Sequence, residues 1–123
     1  MADTTFQNIV NGERVAAASG ETYDVIDPST GEVYAQAPMS RAEDVDRAYA
    51  AAGAAFEAWG STTPQERATA LLRIADAIDA RADDIVQVEV KDTGKPIGLT
   101  ASEELPPSSD HFRFFAGAAP AAA

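Results

Sequence analysis

Strand signals and helix signals do not mix in this chain; they change over at Pro38. Before it, "NIVNGERV" sets Asn11-Gly12 between Ile9-Val10 and Arg14-Val15, and Asn-Gly readily supplies the two positive φ angles of a type I′ hairpin turn. A second pair of apolar runs, "TYDVI" and "EVYAQA", is joined by Asp27-Pro28-Ser29-Thr30-Gly31, where proline fixes φ and glycine accepts a left-handed position. Two β-hairpins are expected over the first 38 residues.

After Pro38 the punctuation is helical. Ser40-Arg41-Ala42-Glu43 has capping-box spacing, and Ala42, Val45, Ala48-Tyr49, Ala52, Ala55-Phe56 and Trp59 recur at three- and four-residue steps before Gly60. Tyr49, Phe56 and Trp59 are expected to be core packing. A second helix starts at Thr63-Pro64-Gln65-Glu66, with proline at the first helical position where its missing N–H costs nothing, and Leu71-Leu72, Ala75 and Ile78 form its expected buried stripe. The segment "DDIVQVEVKDTG" is ambiguous. Val86, Val88 and Val90 alternate with Gln87, Glu89 and Lys91, which by period predicts a half-buried strand, whereas Asp83 as a cap and Gly94 followed by Lys95-Pro96 read as a helix and its stop. Further on, Thr100-Ala101-Ser102-Glu103 has the spacing of a cap. Pro106-Pro107 then interrupts, and an aromatic helix with Phe112, Phe114 and Phe115 precedes an alanine-rich tail of the kind that commonly frays.

Several function classes drop out. "VKDTGKPIG" holds a Gly-Lys pair, but a phosphate loop needs a glycine five residues before Gly94, where Glu89 stands, and a hydroxyl residue after Lys95, where Pro96 stands. Nine basic against 20 acidic residues give a net charge of −11, which opposes nucleic acid and anionic lipid. No apolar run approaches the roughly 20 residues of a membrane span, and the start lacks a signal-peptide pattern, so a cytoplasmic location is expected. The chain has no cysteine, hence no disulfide, thiolate metal site or thiol nucleophile of its own. His111 is the single histidine and reads as a helix-surface residue.

The blocks "VNGERV", "DVIDPSTGEVYAQAP", "RAEDVDRAYAAAGAAFEAWG", "ERATALLRIADAI", "KDTGKPI" and "FRFFAGAA", in this order, resemble the amino-terminal segment of the NAD(P)-dependent aldehyde dehydrogenases. The nearest flavour is the branch that oxidises γ-aminobutyraldehyde and betaine aldehyde. The resemblance implies an α/β fold with a Rossmann-like cofactor domain, of which this chain covers only the amino-terminal β-hairpins and three or four α-helices. Residues 1–119 would be the amino-terminal part of the aldehyde dehydrogenase domain and residues 120–123 a low-complexity tail, the whole a truncated form of a longer subunit. It also implies helix rather than strand over residues 83–94.

In that family a cysteine thiolate attacks the aldehyde, hydride passes to NAD or NADP, and a glutamate activates water. These groups belong to later segments, so no catalytic or cofactor-binding residue is expected here, and the isolated chain is expected to be inactive. Two weaker assignments follow from the resemblance alone. Glu103 and Glu104 fall where acidic residues near a substrate entrance attract a cationic amine, with plain surface charge as the alternative. The carbonyls of Val25 and Ile26 and the carboxylate of Asp92 match ligands of a structural monovalent cation, with local capping or pairing by Asp92 as the alternative. The expected partners are a small-molecule aldehyde and further copies in a homo-oligomer. A second function class remains open, a non-catalytic interaction module docking on an intact subunit or another protein.

Overall fold

The computed structural model describes residues 4–122, which divide between Ser61 and Thr62 into two compact units. The first holds β1 (Asn8–Val10), β2 (Glu13–Val15), β3 (Thr22–Ile26), β4 (Val33–Pro38) and helix α1 (Ala42–Gly60). The second holds α2 (Pro64–Ala80), α3 (Ala82–Thr93), a short α4 (Ile97–Leu99), a π-helical turn (Thr100–Glu104), α5 (Leu105–Ala118) and a 3-10 turn (Ala119–Ala122).

Both expected hairpins are present as separate antiparallel pairs, β1 with β2 and β3 with β4. Asn11 at φ 52 and Gly12 at φ 79 supply the left-handed turn that the Asn-Gly pair predicts. In the second hairpin the register slips between Val25↔Ala35 and Ile26↔Val33, leaving Tyr34 as the extra residue of a bulge on β4. Residues 4–6 add a short parallel pairing to β4, with Phe6 N–H donating to Gln36 O at 2.7 Å and Gln36 N–H to Thr4 O at 2.9 Å.

Helix α1 starts one residue later than the Ser40 box implies. Ser40 Oγ is engaged with the Asn8 side chain, accepting from Nδ2 at 2.8 Å and donating to Oδ1 at 3.2 Å. The orphan backbone donor at Arg41 is taken by Asp44 Oδ2 at 2.9 Å instead of by Glu43. The α2 start agrees with its sequence signature: Glu66 N–H donates to Thr63 Oγ1 at 3.2 Å, Thr63 N–H returns to Glu66 Oε2 at 2.7 Å, and Pro64 is the first helical residue.

Alternation misleads over residues 86–91, which are helical within α3. Burial there runs through Ala82, Ile85-Val86 and Glu89-Val90, a three-to-four-residue step, while Val88 is exposed. Gly94, in the left-handed region at φ 72, ends the helix with its N–H on Val90 O.

The segment after Pro96 departs furthest from the sequence reading. The cap expected at Thr100 is not used, because the helix is already running from Ile97, and Pro106-Pro107 do not interrupt it. Both prolines lack an N–H, so the carbonyls four residues before them have no ordinary helical donor. The backbone widens at that place, Leu105 N–H reaching back five residues to Thr100 O. Hydroxyls line this stretch: Ser102 Oγ donates to Gly98 O at 2.9 Å and Ser108 Oγ to Glu104 O at 3.0 Å.

In the second unit α2 packs chiefly on α5. The buried residues of α2, Ala68 and Ala75, and of α5, Ser109 and Ala116, are each seven apart and lie on one face of their helix. Small side chains let the two helices approach closely. Around that seam Leu71 and Ile78 are half-buried, but Leu72 is exposed, against expectation. The buried apolar residues are Ala17, Ala35, Ala68, Ala75, Val86 and Ala116, and no large side chain among the described residues is completely buried. Tyr49 and Phe56, expected in the core, are 76% and 74% exposed. Trp59 is 53% exposed. The tail after Ala118 forms a 3-10 turn lying against α2.

Candidate functional site

Most of the side-chain chemistry of the second unit gathers where α3 ends. Pro96 stops any continuation of α3 and opens the next helix, so Lys95 is held between the last turn of α3 and the π turn. Its ammonium donates to Glu89 Oε1 at 3.1 Å and to Glu104 Oε2 at 2.9 Å. Bonded first to Glu104 and then to Glu89, Lys95 is held protonated above the ordinary lysine range. Beside this bridge lies a cleft of about 220 Å³ lined by Ile85, Glu89, Thr100, Glu104, Leu105 and Ser108.

The adjacent glutamates singled out in the sequence therefore differ in state. Glu104 carries an internal cation. Glu103 is exposed and accepts a hydroxyl bond from its neighbour, Ser102 Oγ, at 3.2 Å. A carboxylate already bridged to an ammonium offers less to an incoming amine than a solvated one. Lys95 is the residue sequence reasoning missed: the local pattern marks it only as part of a helix stop, and its link to Glu104 depends on how the π turn folds back.

The cation-ligand positions fall in different units. Val25 and Ile26 end β3 at the register slip, before a turn in which Asp27 Oδ1 accepts from Ser29 N–H at 2.8 Å and Ser29 Oγ at 2.6 Å. Asp92 lies exposed in the last turn of α3, two residues before Gly94. Carbonyl and carboxylate oxygens are the donor types a hard cation takes. No group of three or more His, Cys, Asp or Glu side chains among the described residues is placed to hold a metal, and His111 is exposed on α5.

A dinucleotide finds no cradle here. The glycines with positive φ, Gly12, Gly20, Gly31 and Gly94, sit in turns, loops or a helix end. The strand-to-helix passage from β4 to α1 runs through Met39-Ser40-Arg41, without a glycine to admit a pyrophosphate. The described residues do not fit that group on their own. Among them, no helix is long and apolar enough to cross a membrane.

Comparison with known proteins places this geometry. The aldehyde dehydrogenase family matches residues 15–123. A probable aldehyde dehydrogenase of Mycobacterium tuberculosis is 40% identical over 116 residues, which are 94% of this chain and 23% of the relative. Among solved structures, HpcC from Thermus thermophilus superposes with a TM-score of 0.94 at 34% identity, over 98% of this chain and 23% of that one. PnpE, solved in complex with nicotinamide adenine dinucleotide, superposes with a TM-score of 0.92 at 35% identity, over 94% of this chain and 24% of that one. The chain thus spans about a quarter of the length of the relatives it matches. With the family matched from the second strand onward and the hairpin-then-helix order shared with its solved members, this chain belongs to the aldehyde dehydrogenase family.

Proposed function

We propose that this chain serves as the amino-terminal portion of an NAD(P)-dependent aldehyde dehydrogenase that oxidises an aldehyde to its carboxylic acid. The substrate class we assign is an aminoaldehyde such as γ-aminobutyraldehyde. The observation that carries the reading is the superposition of nearly the whole chain on one quarter of a family member, in a sequence with no cysteine. Its part in the enzyme is to brace and shape rather than to react. The cofactor supplies hydride acceptance when bound elsewhere in the subunit. The residues here hold a hairpin bulge, a helix stop and a charged cleft in fixed relation to their own units. Within this reading, Glu103 and Glu104 stand at the substrate entrance, with Glu103 the carboxylate left for a cationic amine. Val25, Ile26 and Asp92 contribute oxygens to a monovalent cation. The assembled enzyme is a cytoplasmic homo-oligomer.

The test is direct. Pure 123-residue chain with NAD and γ-aminobutyraldehyde should give no NADH above a heat-killed control. The same chain continued into the rest of an aldehyde dehydrogenase fold should give NADH, with kcat/KM higher for γ-aminobutyraldehyde than for an uncharged aldehyde of equal length. Turnover by the 123-residue chain alone would remove the scaffold reading. A preference for the uncharged aldehyde would remove the aminoaldehyde one.

A further inference from the structure

One face of α1 presents large apolar side chains to solvent. Each helical residue advances about 100°, so Val45, Tyr49, Phe56 and Trp59 fall within an arc of about 80°. They are 50%, 76%, 74% and 53% exposed. Aromatic side chains concentrated in one exposed stripe are a feature of interaction surfaces more than of free monomer surfaces.

We propose that this stripe is a docking face for a polypeptide carrying the remainder of an aldehyde dehydrogenase fold. The proposal rests on the family reading above and assigns the face that does the joining. Two observations favour this occupant over a second copy of the chain. Aromatic side chains bury about 150–250 Å² each, so three of them, already partly covered, offer on the order of 500 Å². A stable interface takes about 800 Å² from each partner. Moreover, large apolar residues are exposed on other elements as well: Tyr23 and Ile26 on β3, Val88 on α3, and Phe114 and Phe115 on α5. A partner pairing with α1 alone would leave these wet. The remainder of the fold, some three quarters of the chain in the T. thermophilus protein, is large enough to cover several elements together.

The experiment grafts the 123-residue chain onto T. thermophilus HpcC in place of the 23% of that chain it matches. Hydrogen exchange over residues 45–59 is then compared in the graft and in the chain alone. Exchange should be at least tenfold slower in the graft. Phe56→Glu should abolish that protection, whereas Ala54→Glu, on the opposite side of α1, should leave it intact. The idea is overturned if a soluble graft exchanges at the rate of the chain alone, or if Phe56→Glu is as harmless as Ala54→Glu. It is equally overturned if the chain alone is protected, as a monomer or as a self-dimer, or if the graft is insoluble while HpcC expressed in parallel is soluble. Aldehyde oxidation is measured separately: a protected α1 without NADH production leaves the docking face standing and removes the catalytic reading.

Discussion

Asp44 Oδ1 accepts the backbone N–H of Ala18 at 2.8 Å, across 26 positions of sequence, while its Oδ2 accepts that of Arg41 at 2.9 Å. One carboxylate, 7% exposed, thereby caps α1 and fastens the loop between the two hairpins to it. Replacing Asp44 with Ala removes both acceptors and leaves two backbone donors short of partners. The melting temperature should fall by about 4–8 °C, the usual consequence of a lost cap in a unit of this size. Asp44→Asn keeps one acceptor and should fall by less. Circular dichroism melts of the three proteins decide it, and equal melting temperatures would remove the role.

Acid should loosen both units. Asp44 is held below the usual carboxylate range by the Arg41 and then the Ala18 N–H. Glu66 is held there by the backbone and then the hydroxyl of Thr63, and Asp79 by the Ser109 hydroxyl and then Arg113. In each case the unfolded chain takes up its proton first as pH falls, at about 3.9 for Asp and 4.3 for Glu. The stabilisation is therefore present in full above those values and is lost as pH drops through them toward the lower folded values. Melting temperature should be level from neutrality to about pH 5 and decline below about pH 4.5. Asp79→Asn should make that decline shallower. A profile that rises on acidification would contradict the assignment.

Two glycines should respond to alanine with opposite signs. Gly94 ends α3 at φ 72, where a Cβ is strained, so Gly94→Ala should cost about 1 kcal/mol. Gly53 lies within α1 with open space where a Cβ would project, so Gly53→Ala should stabilise by about 0.5–1 kcal/mol. Urea denaturation of each variant measures both.

Lys95→Met should barely change global stability, because both of its ion pairs are partly solvated. Its effect should be local. Amide exchange through residues 100–105 is expected to quicken several-fold while α2 stays as protected as before. Unchanged exchange in the π turn would show that Lys95 does not fasten it.

Where the sequence could be read, a short-range steric rule decided the outcome. Asn11-Gly12, the Thr63-Pro64-Gln65-Glu66 start and Gly94 each fix their conformation within four residues, and the structure follows them. The α3 helix was legible only through family resemblance, since its valines alternate while burial follows Ala82, Ile85-Val86 and Glu89-Val90. Ser40 lost its cap to Asn8, a residue 32 positions away, and no local pattern contains that competition. Lys95 bridging Glu89 and Glu104 was hidden for the same reason, because it needs the π turn to exist first.

That turn also fixes a phase. A π turn is a helix carrying one surplus residue, and each residue of an α-helix is worth about 100° of rotation. Removing one residue between Thr100 and Glu104 would let the stretch relax to ordinary α geometry and would spin everything beyond it by about that angle. Ser109 and Ala116 would swing off α2, and bulkier neighbours would be driven into a seam sized for alanine. The segment thus behaves as a spacer whose length is set to one residue: chains of this family that keep small residues at both seam positions can be expected to keep the surplus residue with them, and to lose the two together.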